Sequence, residues 1–275
     1  MIIRKIKNIV KGVETSDGAG VNLIRIIGSP KLNMIDPFLL LDEFGSDDPK
    51  NYISGFPPHP HRGFETITYM LNGKFRHKDS AGNEGMLSDG SVQWMTAGRG
   101  VIHSEMPEQT EGLVRGFQLW LNLPQELKMI EPSYNDINQE QIPQVDLQGG
   151  SIKIIAGEYN NIKGPGNPHT GMFYHDISLK ENSNFIFPLI DGWNVFIYVY
   201  EGSIMIDKKI TNKHLAVLNS TGDLKLFALN DGAKFILVGG KPLNEPVARG
   251  GPFVMNTKGE VLQAFSDYQN GVLVK

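Results

Sequence analysis

The sequence predicts a mostly-β chain built from two related modules, and three observations carry that expectation. Short runs of β-branched and aromatic residues recur, separated by turn dipeptides such as Asn72-Gly73, Asp89-Gly90, Gly149-Gly150, Asp231-Gly232 and Gly239-Gly240. Helical periodicity is nearly confined to one segment close to the last residue. A strand-and-turn segment also occurs twice, 129 residues apart, at 63–73 and 192–202.

Taken in order, strands are predicted over 21–27, 66–71, 92–95, 114–121, 152–156, 172–177, 195–200, 215–218 and 234–238. A short helical turn is expected after Pro124, over 126–129. Thr257 and Glu260 form a capping-box pattern, with Val261, Leu262, Phe265 and Tyr268 following at helical spacing, so the chain is predicted to close on a short helix. The two echo segments align without gaps. Each has a glycine, an aromatic residue, a β-rich run with a tyrosine (Tyr69, Tyr198) at the same place, and a turn glycine. The polar stretch 135–148 suits the junction, which gives modules at 1–135 and 136–275.

Composition narrows the function classes. A formal charge of −4 over 275 residues offers no basic surface, so direct nucleic-acid binding is not expected. The absence of cysteine excludes disulfides, thiolate zinc sites, iron–sulfur clusters and thiol catalysis. The first residues mix apolar and charged types too closely for a secretory signal, and the apolar runs are too short to span a bilayer. A cytoplasmic protein with no membrane partner is the expectation.

The chemistry is concentrated in two short motifs. His59-Pro60-His61 sets two imidazoles at i and i+2, which in extended backbone share a face. His103-Ser104-Glu105 repeats the spacing with an imidazole and a carboxylate, after Gly98-Arg99-Gly100. Glu65 lies a further even step from His61 and is placed on the same face. On neighbouring strands these pairs would converge on one point. Three imidazoles and a carboxylate suit a divalent first-row metal: Fe(II) first, with Mn, Co, Ni, Cu or Zn as alternatives. The other histidines, His77, His169, His175 and His214, are expected at the surface or hydrogen-bonded in the core.

The segment from Gly55 through His59, His61 and Glu65 to Gly73, then that from Gly90 through Gly98 to His103 and Glu105, resembles the two metal motifs of the cupin superfamily, and more closely the pirin family. Further matches are the segment from Gly116 to Pro124, Glu131 to Tyr134, and Gly251 to Asn256. Thr96 stands where the generic second motif has proline, as the pirin subgroup itself shows.

The resemblance implies a bicupin, two tandem antiparallel β-barrels of jelly-roll type, with iron in the first. Its ligands fall on His59, His61, His103 and Glu105, ranked above Glu65, the ordinary cupin carboxylate. At the 129-residue offset His59, His61 and Glu65 map onto Pro188, Ile190 and Asn194, so the second module is expected to lack metal. The implied activity is that of quercetin 2,3-dioxygenases: O2-dependent opening of a flavonol's central ring with release of carbon monoxide, Glu105 taking the hydroxyl proton. Phe64, Trp94 and Met95, with Phe117 and Trp120, are candidate substrate-lining residues, while Arg62 and Arg99 read as solvated charge. A monomer is expected. The alternative is a non-catalytic, metal-binding regulator that acts through protein partners.

Overall fold

The computed structural model describes residues 2–275 and divides the chain into two compact units. The metal-motif unit comprises 14–28, 37–139 and 243–275; the second comprises the residues up to Val13, 29–36 and 140–242. The single cut expected at 135/136 falls inside the strand Ser133–Ile137, which pairs with Val92–Thr96 in the metal-motif unit. Each end of the chain also lies in the unit formed mainly by the other half. Ile6–Lys11 pairs with His214–Leu218, and Ile6 is buried in that unit's core. The helix Lys258–Gln269 packs on the hairpin Ala248–Gly250/Phe253–Met255.

The metal-motif unit has two sheets. The larger runs Ser133–Ile137, Val92–Thr96, Phe64–Asn72, Val114–Asn122, Phe38–Ser46, Val21–Ile27, Val13–Asp17. The smaller runs Phe56–His61, Val101–Pro107, Phe75–Asp79, Glu84–Leu87. They form a double-sheet jelly roll rather than a barrel with one continuous hydrogen-bonded wall. Side chains from both meet in a core that includes Leu23, Phe44, Met70, Phe75 and Leu87. Period-two alternation is clearest in Val101–Pro107, where Val101, His103 and Glu105 are buried and the residues between them are not.

The second unit repeats the seven-strand succession: Ile6–Lys11, His214–Leu218, Asn194–Met205, Leu224–Gly240, Met172–Leu179, Gly150–Ala156, Gln144–Leu147. The two echo segments supply the third strand in each list. All four of their glycines, Gly63, Gly73, Gly192 and Gly202, have positive φ, the conformation that only glycine adopts without strain. The Asp231-Gly232 signal differs from expectation: it lies inside one long strand, where Gly232 (φ 64°) allows a wide bulge between the register positions Gly202–Ala233 and Ile204–Ala228. The predicted terminal helix forms as Lys258–Gln269 with its capping box intact, and the turn after Pro124 is a 3-10 turn at Gln125–Leu127.

His175 departs from the expectation of a surface or hydrogen-bonded histidine. It is fully buried, stacks on Phe173, and neither ring nitrogen has a hydrogen-bond partner. Burial pushes its pKa down to about 3. The unfolded chain, with the ordinary value of 6.5, therefore binds the proton first as pH falls. Stability present above pH 6.5 is lost progressively toward pH 3. His175→Phe should remove roughly one proton of that dependence, about 1.4 kcal/mol per pH unit. Urea unfolding at pH 7 and pH 5 should show a smaller stability difference in the variant than in the wild type.

Candidate metal centre

Two strands of the smaller sheet bring the histidines together. Phe56–His61 runs antiparallel to Val101–Pro107 with His103 directly opposite His59. His59 and His61 share a face, and the ring centroids lie 4.7 Å (His59–His61), 4.4 Å (His59–His103) and 5.1 Å (His61–His103) apart. Each imidazole offers a nitrogen within 4.8 Å of the other two, the one such group among the described residues.

The hydrogen bonds fix which nitrogens face inward. His59 Nδ1 lies 2.9 Å from the Pro57 carbonyl and His61 Nδ1 3.4 Å from the Pro252 carbonyl. Carbonyls only accept, so both Nδ1 atoms carry a proton, and in the neutral form of each ring Nε2 presents a lone pair. Those two Nε2 atoms are 3.0 Å apart. Lone pairs facing at that distance repel unless a cation draws on both. His103 adds two buried ring nitrogens with no partner. Burial pushes both His61 and His103 well below the ordinary imidazole pKa, and neighbouring histidines add to the effect, so both rings stay neutral. Neutral, inward-facing imidazoles with unspent lone pairs fit a divalent metal.

The carboxylates are placed differently. Glu105 is buried beside the cluster but outside the close group of imidazoles. Its Oε1 accepts from Thr68 Oγ1 at 2.9 Å and its Oε2 from Gln118 Nε2 at 3.0 Å. Glu65 does not share the face expected for it. The positive-φ turn at Gly63 separates its strand from that of His61. An odd step along that strand from Thr68 turns Glu65 away from Glu105, toward Thr96, whose hydroxyl it accepts at 2.8 Å.

His59 and His61 stand in the wall of a cavity of about 540 Å³. Its apolar wall includes Leu23, Leu40, Phe44, Phe56 and Trp120; its polar groups are Gln118, Arg249 and the Arg25–Asp42–Asp17 ion cluster. Trp120 Nε1 donates to Gln118 Oε1 at 3.2 Å, and Arg249 lies 4.8 Å above the Trp120 ring. Phe64, Trp94 and Met95 do not line this cavity. Phe64 touches it indirectly, its ring 5.1 Å from His61 and 4.4 Å from Trp120. Met95 packs with Ala97 and Val101, and Trp94, one residue away, points to the opposite face. Gln118 and Thr68 are not among the residues the sequence points to; the signal for Gln118 is its place two residues from Trp120, on the same face of the strand.

With this geometry, similarity to known proteins becomes informative. The pirin family model matches 20–121, and the model for the pirin C-terminal cupin domain matches 174–274. The chain belongs to the pirin family. Human pirin is 41% identical over 97% of this pirin and 93% of its own length. A Pseudomonas aeruginosa protein provisionally named a quercetin 2,3-dioxygenase is 46% identical, over 98% of each chain. The crystal structure of a quercetin 2,3-dioxygenase from Acinetobacter baumannii superposes with a TM-score of 0.93 at 32% identity, over 100% of both chains.

One metal ion per chain is the expected stoichiometry, held in the metal-motif unit. His103→Ala should abolish cobalt(II) binding, measured by metal analysis after gel filtration, and leave the far-UV dichroism of the wild type, since both units bury their own apolar cores.

Proposed function

We propose that this pirin is a metal-dependent dioxygenase of the quercetin 2,3-dioxygenase type, using O2 to open the central ring of a flavonol with release of carbon monoxide. The observation that carries the reading is a trio of close imidazoles, two of them in the wall of a cavity that also carries aromatic surface. The Acinetobacter baumannii and Pseudomonas aeruginosa relatives support the reaction class.

In this reading His59, His61 and His103 hold the metal, Fe(II) first among the candidates, with Glu105 as fourth ligand. When bound, such an ion supplies Lewis acidity and one-electron exchange with oxygen. The protein supplies the rest. Trp120, Phe56 and Phe44 offer flat apolar surface to an aromatic substrate and keep water from it. Glu105 accepts the proton of the substrate hydroxyl. Thr68 and Gln118 aim its carboxylate, and Gln118 is itself steadied by Trp120, so aromatic wall and base form one connected network.

Quercetin incubated under air with the Fe(II)-loaded protein should lose its flavonol absorbance and yield carbon monoxide. Metal loading without cleavage would sink the dioxygenase and favour the regulator. Glu105→Gln retains a weak oxygen ligand yet loses the proton acceptor, so turnover should fall roughly 10²–10⁴-fold with a modest loss of metal. Glu65→Gln should change turnover far less, because Glu65 faces Thr96 on the other side of its strand.

A further inference from the structure

His61 owes its direction to residues some 190 positions later in the chain. Its neighbour Arg62 forms a parallel bridge with Phe253: Arg62 N donates to the Pro252 carbonyl at 3.4 Å and Val254 N to the Arg62 carbonyl at 3.0 Å. The Pro252 carbonyl is also the group that receives His61 Nδ1. Gly63 is moulded to the same hairpin; a Cβ there would sit 2.0 Å from the Val254 carbonyl. Lys128 Nζ, wholly buried, donates to the carbonyls of Gly63 (2.8 Å) and Val254 (3.0 Å) and to Asn122 Oδ1 (2.7 Å).

Arg62 is not the solvated charge that its sequence suggests. It is 5% exposed, its Nε donates to the Arg99 carbonyl, and its Nη1 meets Asp267 Oδ2 at 2.6 Å. Asp267 lies on the terminal helix, is held by Gln263 Nε2 at 2.8 Å, and has its helix seated on the hairpin by Phe265 against Phe253, 4.9 Å between centroids. A buried guanidinium deprived of its carboxylate must shift toward water, and His61 is its adjacent residue.

We propose that Asp267 is a positioning residue of the metal centre: through Arg62 and the 252–254 hairpin it holds His61 so that Nε2 points at the ion. The proposal rests on the metal reading of the histidine trio. It makes the terminal helix part of the support of a site to which it contributes no ligand, in the way that groups behind metal ligands tune affinity elsewhere.

The test uses full-length protein loaded with cobalt(II), reading its visible ligand-field bands and its affinity in competition with a chelator. Asp267→Asn should weaken binding 10–100-fold and shift the bands, and Asp267→Glu should restore part of both. Thr257→Ala disturbs the same helix at its N-cap without touching Arg62. It should lower Tm while leaving affinity within about twofold, well below the loss expected at a supporting residue. If Asp267→Asn gives no folded protein, Arg62→Lys, which keeps the charge but not the forked contact, carries the same expectation. Wild-type affinity and bands in Asp267→Asn, or an equal loss in Thr257→Ala, would overturn the proposal alone. Failure of the wild type to bind cobalt(II) at the histidines would remove the metal reading with it.

Discussion

Everything at the site depends on the register between Phe56–His61 and Val101–Pro107. With His103 opposite His59, three imidazoles fall on one face within reach of a common point. A slip of one residue would turn one motif to the face opposite the other. The irregularity between His103 and Glu105, where Glu105 falls opposite Phe56, lies in the histidine strand, since Val101–Pro107 keeps an unbroken register with Phe75–Asp79. The Glu105 carboxylate accepts from Thr68 and Gln118 and stands outside the close group of rings. Three rings stand close together on one face, and the carboxylate beside them is held by hydrogen bonds.

The second unit shows what the same strand succession becomes without that demand. Its small strand Asn184–Phe187 follows the Met172–Leu179 strand as the His59 strand follows Phe38–Ser46, yet it places Phe185 and Phe187 in an apolar core. Phenylalanine needs no partner for its ring and gains from burial, so such a core is satisfied by packing alone. His175 is a buried polar residue of this unit, kept neutral among aromatic rings.

Much of this was legible in the sequence because it is local. The i, i+2 spacing of His59 and His61, the glycine-bounded echo and the Thr257–Glu260 capping box each depend on a few adjacent residues, and each appears as expected. The strand at 21–27 has the predicted bounds. Other features depend on distant partners. Nothing in the spacing of Glu65 reveals that Gly63 turns the chain onto another sheet, and nothing near Arg62 announces Asp267. The strand at 6–11 was hidden because its alternating charges read as surface until His214–Leu218 supplies a partner. Trp94 and Met95 cannot both line one cavity, because adjacent strand residues face opposite sides of the sheet.

The discontinuous make-up of the units bears on the order of synthesis. A ribosome releases residues 14–139 long before 243–275, yet both belong to one compact unit. The histidine strand is therefore made early and left without its hairpin and helix until the intervening unit has emerged. A nascent chain of the first half has the three imidazoles but not the Pro252 carbonyl that orients one of them. Closure over so long a separation is slow compared with local pairing, which makes assembly of the centre a late event in the life of the chain.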